Sequence, residues 1–414
     1  MEVIVLAGGL GTRLRSVVHE IPKCLAPVGG KPFLGYLLDW LVSQGVNHVV
    51  FSVGYLREQV IDYVQGRDWP FTYDFAIEET PLGTGGGIRL SLKKCRENQV
   101  FVINGDTFFP VDLKAMPCGH AITLALKPMQ DFDRYGAVSV QPASMAEENY
   151  FLCSSPKNQF SPATETPTRA DALTINAFHE KAHCEEGLIN GGVYAIDRSR
   201  LDLNILPEQF SFEKEVLEPG AAIGEIGGWV TDAYFIDIGI PEDYQKAQWA
   251  IPAWFSVQKA FEAVMKADAS TLFLDRDGVL NRHLPGDYVR TPQMWEWMPG
   301  VLQALAQWSG KFKHIILVTN QRGVGKGLMT DAQLAQVHAR MMQDILEAGG
   351  RIDLILTCTA VSEEDPRRKP NPGMFYEACG LFPDIDAKSS VMVGDSASDA
   401  AFADNSGMSF ILLH

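Results

Sequence analysis

Residues Met1 to Phe33 read MEVIVLAGGLGTRLRSVVHEIPKCLAPVGGKPF. The apolar run Val3 to Ala7 predicts a strand that delivers the chain into a glycine cluster at Gly8, Gly9 and Gly11. Without Cβ atoms, such a loop lets backbone N–H groups approach an anion closely. Arg13 follows with a planar, permanently charged fork and Lys23 with a compact point charge, so two kinds of cation can converge on one polyphosphate. This suits a triphosphate that loses pyrophosphate. The glycine triplet alone reads equally as an ordinary tight turn with solvated Arg13 and Lys23.

The whole string is more specific. It resembles the signature of the sugar-phosphate nucleotidyltransferases, GGxGTRL followed by PKxLxPxxxKP, with Gly8, Gly9, Gly11, Thr12, Arg13, Lys23, Pro27, Lys31 and Pro32 in register. Arg15-Ser16 departs from the proline many members carry there, and is most similar to the manno-heptose 1-phosphate guanylyltransferase branch.

At 414 residues the chain exceeds one typical domain, and 46% apolar content is enough for complete cores. A formal charge of -16 argues against nucleic acid or an anionic membrane as partner, since both demand basic patches. Small anionic substrates then need local cations. The 7 cysteines are scattered, with no CxxC pair, which points to reduced thiols and shows no zinc site. With no signal-like start and no apolar run near the roughly 18 residues that span a bilayer, a soluble cytoplasmic protein is expected. Nothing in the pattern specifies an oligomeric state.

Working outward, Pro32 to Gly45 predicts a helix with Leu34, Leu37, Leu38, Leu41 and Val42 on one face. Strands His48–Val53 and Tyr73–Ile77 follow, the second running into the glycine-rich stretch Glu78 to Gly86. This alternation predicts a mostly parallel sheet with ligand at the strand ends. A carboxylate at Glu78 or Glu79 can accept from the N1–H and amino group of guanine, or be a solvated loop acid. Val100–Ile103 ends at Asp106, and Tyr234–Ile236 ends at Asp237. Each carboxylate sits where Mg²⁺ would be held, and either alone is equally a cap.

The resemblance assigns further roles. Gly83 and Thr84, with Glu78, belong to a base-recognition loop, and Asp106 and Asp237 share the catalytic Mg²⁺. Gly136, Glu180, Lys181, Asn190 and Gly192 form a sugar-phosphate pocket, with Glu180 on sugar hydroxyls and Lys181 on phosphate. The polar stretch from about Pro142 to Arg169 is longer than an ordinary connection and reads as an insertion beside that pocket.

Glu242 to Met265 predicts a helix interrupted near Pro252, and Thr271–Leu274 starts a new strand ending in Asp275-Arg276-Asp277-Gly278. Residues two apart in extended chain face one way, so Asp275 and Asp277 address one site. Ile315–Val318 leads to Thr319-Asn320, a polar loop to Arg368-Lys369-Pro370, and Val391–Val393 to Asp395 and Asp399. This ordered set resembles the haloacid dehalogenase superfamily, and within it the histidinol and heptose-bisphosphate phosphatases. The resemblance implies Asp275 as nucleophile and Asp277 as acid/base. Thr319 and Lys369 would hold phosphoryl oxygens, with Asn320 and Arg368 toward the sugar. Mg²⁺ would be bound by Asp275, Asp277 through its carbonyl, and Asp395, supported by Asp399. Only Cys358 remains of the zinc loop usual in that group, so zinc is not expected. Gly323–Gly327 imitates a Walker loop, but Asn320 and Gly327 stand where a glycine and a Ser or Thr belong.

The expected architecture is α/β in two domains. A Rossmann-like nucleotidyltransferase with a mixed sheet occupies 1–248, a helical linker 249–269, and a parallel-sheet phosphatase without a large cap 270–414. The two resemblances imply one route: dephosphorylation of D-glycero-D-manno-heptose 1,7-bisphosphate at position 7, then GMP transfer from GTP to give GDP-heptose. A mannose 1-phosphate guanylyltransferase joined to an unrelated phosphatase, or one domain kept for binding alone, are the alternatives.

Overall fold

A computed structural model describes residues 1–9, 14, 20–141 and 173–413. Gly11, Thr12, Arg13 and the 142–169 insertion, all expected above to serve the first site, lie outside the described residues. The chain divides into two compact units, Met1–Gln248 and Trp249–His414.

Among the described residues, the main sheet of the first unit has nine strands: β1 Glu2–Leu6, β2 His48–Val53, β3 Thr72–Ile77, β4 Gln99–Asn104, β5 Ile122–Phe132, β6 Gly136–Gln141, β7 Leu173–Lys181, β8 Cys184–Asp197 and β9 Ile226–Val230. Their order is β3-β2-β1-β4-β8-β5-β9-β7-β6. β1 to β4 are parallel, as their buried, nearly continuous apolar runs require. From β8 onward most pairings are antiparallel. The expected predominance of parallel pairing therefore holds only for the first half. The helix Phe33–Ser43 buries Leu34, Leu37, Leu38 and Leu41 completely, but Val42 is exposed.

The second unit has one parallel sheet: β10 Thr271–Leu274, β11 His314–Asn320, β12 Leu354–Cys358, β13 Ser390–Gly394 and β14 Ser409–Leu412, ordered β12-β11-β10-β13-β14. Alternation along the strands feeds two cores. Leu272, Leu274, Leu317 and Val391 pack with Trp308 on one face, and Phe273, Ile316, Val318 and Met392 with Phe402 on the other. Each fully buried side chain of this size is worth about 1.5–3 kcal/mol, so a sheet covered on both faces is a stiff platform for its loops.

The helix Pro241–Lys266 runs unbroken through Pro252, against the expected interruption. Ala253, Val257, Ala260 and Val264, in the stretch expected as a linker, enter the core of the second unit. The helix Asp331–Glu347 begins with a Thr330/Gln333 capping box. No helix among the described residues is long and apolar enough to cross a membrane.

Candidate active sites

Both candidate sites lie at strand ends of their sheets. In the first unit, the short turn Lys23–Leu25 buries Cys24 and Leu25, which fixes where Lys23 points. Its ammonium is 2.5 Å from Asp106 and 3.5 Å from Asp237. Asp106 follows β4, and Asp237 is brought opposite Thr107 by a two-residue antiparallel pairing. The backbone N–H of Gly239 donates to Asp237 Oδ1 at 2.7 Å, fixing that carboxylate. One lysine and two carboxylates thus converge.

A cavity of about 730 Å³ opens here, lined by Gly8, Gly9, Lys23, Gly83, Thr84 and Asp106 among others. Gly83 has φ +73°, and a Cβ there would stand 2.5 Å from the carbonyl oxygen of Phe210, so only glycine fits. Glu78 also lines the cavity, but both its oxygens are engaged, by the Ser52 hydroxyl and the Leu82 N–H, each at 3.0 Å. These bonds prop the loop and leave each oxygen a second acceptor site. Glu79 pairs with Arg57.

A neighbouring cavity of about 350 Å³ is lined by Gly136, Lys181, Asn190, Gly192 and Asp237. Glu180 is exposed and does not line it. β7 carries a register shift between Phe178 and Lys181, and of the pair Lys181 lines the cavity while Glu180 does not. Asn190 is fixed by donating to the Tyr194 hydroxyl and accepting from the Gly192 N–H. Glu213 lines both cavities and accepts from the Thr84 hydroxyl at 2.8 Å. Nothing local in the sequence marks Glu213, since Thr84 is 129 residues away.

In the second unit, Lys369 is almost wholly buried between Asp275 at 2.8 Å and Asp399 at 2.5 Å. Burial works against its charge, but the two carboxylates outweigh it and hold the ammonium above the usual lysine range. Burial likewise pushes the Asp275 carboxyl up, opposed by Lys369 and reinforced by Asp399 and Asp277. For Asp277, burial favours the neutral acid, yet Arg276, Asn281 and Gln321 together hold it below the usual range. The Arg276 guanidinium contacts both Asp277 oxygens, at 2.9 and 3.0 Å.

Carboxylate oxygens of Asp275, Asp395 and Asp399 lie within 4.8 Å of one another. This set of hard oxygen donors, with Asp399 fully buried and Asp395 partly open, fits Mg²⁺. Gly278, at φ +85°, lets Asp395 approach where any Cβ would collide with its carboxylate. The Asp277 side chain accepts from Arg276, Asn281 and Gln321. Two residues expected to meet the sugar are engaged elsewhere. Asn320 exchanges hydrogen bonds with the backbone of Lys369, both at 3.0 Å, and Arg368 donates to the Val361 carbonyl and pairs with Glu363. They hold the Lys369 loop in place.

Fold and site define a nucleotidyltransferase joined to a phosphatase of the two-aspartate type. Residues 3–116 match the MobA-like NTP transferase domain family, and residues 272–412 the polynucleotide kinase 3 phosphatase family. A D-glycero-alpha-D-manno-heptose 1-phosphate guanylyltransferase of Aneurinibacillus thermoaerophilus is 42% identical over 253 residues, 60% of this chain and 97% of that protein. A D-glycero-alpha-D-manno-heptose-1,7-bisphosphate 7-phosphatase of Mycobacterium tuberculosis is 41% identical over 135 residues, 32% of this chain and 71% of that protein. A crystal structure of D,D-heptose 1,7-bisphosphate phosphatase from B. bronchiseptica, complexed with magnesium and phosphate, is 33% identical with a TM-score of 0.33. It covers 34% of this chain and 79% of that one. The chain belongs to both families, its N-terminal region to the heptose 1-phosphate guanylyltransferases and its C-terminal region to the heptose-1,7-bisphosphate phosphatases.

Proposed function

We propose that the chain is a bifunctional enzyme that removes the 7-phosphate of D-glycero-D-manno-heptose 1,7-bisphosphate and transfers GMP from GTP to the resulting 1-phosphate. The observation that carries this reading is the pair of lysine–carboxylate centres, Lys23 with Asp106 and Asp237, and Lys369 with Asp275 and Asp399, in units whose relatives act on the same heptose.

In the Rossmann-like unit the sugar 1-phosphate oxygen attacks the α-phosphorus of GTP in line, and the bond to pyrophosphate breaks. The nucleophile is already an anion, so no protein base is required. Lys23, with Arg13, neutralises charge on the triphosphate, Gly8, Gly9, Gly11 and Thr12 supply backbone donors, and Gly83 and Thr84 line the place of the base. Lys181 and Asn190 face the sugar phosphate. Asp106 and Asp237 would hold Mg²⁺.

In the haloacid dehalogenase-like unit, without a large cap, Asp275 attacks the 7-phosphate. The sugar C–O–P bond breaks on the phosphorus side, and Asp277, ionised in the substrate-free site, takes up a proton as the phosphate enters and gives it to the leaving oxygen. Water then attacks the aspartyl-phosphate, returning a proton to Asp277 and releasing inorganic phosphate. Thr319 and Lys369 hold phosphoryl oxygens. Asp275, the Asp277 carbonyl and Asp395 would hold Mg²⁺, which when bound would offset charge between nucleophile and phosphate. With GTP as substrate, the reactions belong in the cytoplasm.

Each half is tested alone on the full chain. Heptose 1,7-bisphosphate should release one phosphate, and heptose 1-phosphate should release pyrophosphate with GTP in preference to UTP, dTTP or CTP. Mannose 1-phosphate outpacing heptose 1-phosphate would replace the sugar in this reading.

A further inference from the structure

We propose that Gln321 is a positioning residue of the phosphatase centre, aiming the Asp277 carboxyl at the leaving oxygen and the Thr319 hydroxyl at the phosphoryl group. The proposal rests on the phosphatase reading above. Gln321 follows β11 and is completely buried. Its side-chain nitrogen lies 2.7 Å from Asp277 Oδ2 and 2.9 Å from Thr319 Oγ1, so its two hydrogens serve two different functional groups. Its own backbone N–H donates to the Cys358 carbonyl at 2.7 Å, tying the residue to the end of β12.

The orientation of the amide follows from charge. With Asp277 ionised, as its donors hold it in the substrate-free site, a turned-over amide would set its oxygen against the carboxylate, two acceptors opposed. As it stands, the Gln321 carbonyl oxygen is buried with no partner among the described residues. That is unfavourable, and it is offset by the two bonds the nitrogen makes. A glutamine serving only to fill space would not bridge the acid/base and the phosphate-binding hydroxyl.

The consequence for Thr319 is directional. A hydroxyl has one hydrogen, and because Thr319 Oγ1 accepts from Gln321, that hydrogen is directed elsewhere and stays available to a phosphoryl oxygen. Asp277 is fixed from three sides. Gln321 donates to Oδ2, Asn281 to Oδ1 at 2.9 Å, and Arg276 to both. His338 lies 3.3 Å from the Arg276 guanidinium and helps hold it. In the first half-reaction the Asp275 oxygen bonds to phosphorus, the bond from phosphorus to the sugar oxygen breaks, and the Asp277 proton passes to that oxygen to give the alcohol. A misaimed Asp277 therefore matters most when the departing oxygen needs a proton.

The test measures kcat/KM of the full-length chain and of Gln321→Met for two substrates. One is heptose 1,7-bisphosphate, an alkyl phosphate, and the other p-nitrophenyl phosphate, whose leaving group departs without a proton. This parameter covers steps only through leaving-group departure. Gln321→Met should lose about 10²-fold or more on the alkyl phosphate, as loss of general acid help does. On the aryl phosphate it should lose roughly tenfold or less, and inorganic phosphate should inhibit more weakly. Gln321→Glu, which keeps the volume and replaces donors with an acceptor, carries the same expectation should the methionine variant not fold. Asn281→Ala, which removes a bond to Asp277 and none to Thr319, should show the alkyl-selective loss with phosphate inhibition unchanged. Wild-type hydrolysis of p-nitrophenyl phosphate tests the phosphatase reading independently of Gln321. Equal losses on both substrates, or no loss on either, would overturn the proposal.

Discussion

The two centres solve related problems with opposite degrees of enclosure. Around Lys369 the side chains are shut away, at 1% exposure for the lysine, 13% for Asp275 and 0% for Asp399. Around Lys23 they are open, at 12% for the lysine, 37% for Asp106 and 21% for Asp237. The chemistry explains the contrast. In the phosphatase reading the protein supplies the nucleophile and the proton, so both must be held to a fraction of an ångström by a closed network. In the transferase reading both reacting groups arrive with the substrates, so the protein needs room and charge more than enclosure.

The sharpest way to break this comparison is to remove one nucleophile and watch both activities. Asp275→Asn should lower phosphate release by at least about 10⁴-fold while pyrophosphate release from GTP and heptose 1-phosphate stays within experimental error of wild type. A parallel fall in both would mean that the centres do not act separately.

Lys23→Ala should do the converse. Losing one preorganised donor to a charged transition state typically costs about 10²–10³-fold, and phosphate release should not change. Measuring pyrophosphate and phosphate from one preparation checks both directions.

A smaller effect sharpens the point about room. Gly83→Ala places a methyl group against the Phe210 carbonyl at a positive φ, which should destabilise the first unit by about 1–3 kcal/mol and raise KM for GTP. Thermal unfolding and initial rates would read the two parts. An unchanged KM would detach the Gly83 loop from the nucleotide.

The smallest expected effect concerns Cys24, beside Lys23. Burial pushes its thiol up to about 12, with the Asp106 charge adding to the rise. A raised thiol pKa means fewer thiolates, so at pH 8 the native protein should react with a thiol reagent far more slowly at Cys24 than at the exposed Cys118. Fast labelling of Cys24 would show the open centre reaching deeper than its side chains suggest.

The sequence disclosed these centres unevenly, and the reason is physical. Carboxylates at strand ends are local patterns, so Asp106, Asp237, Asp275 and Asp395 could be read from runs of apolar residues before them. Gln321 sat in plain view beside Thr319, and spacing by two should have flagged a shared direction, but its partner Asp277 is 44 residues away. Glu213 depends wholly on a long-range meeting with Thr84. The same limit explains Glu180. A two-residue motif does not say which member faces the cavity until strand pairing fixes it. The resemblance implied a mixed sheet, whereas the glycine-loop alternation pointed to mostly parallel pairing, because that signal stops after β4.

The central claim is that one chain carries a heptose bisphosphate to a nucleotide sugar through two separate centres. Incubating the full chain with D-glycero-D-manno-heptose 1,7-bisphosphate, GTP and Mg²⁺ and following products by mass and phosphorus NMR tests it most directly. GDP-heptose should form with one phosphate and one pyrophosphate per sugar. Phosphate release with no nucleotide sugar, or nucleotide transfer to mannose 1-phosphate alone, would contradict the account.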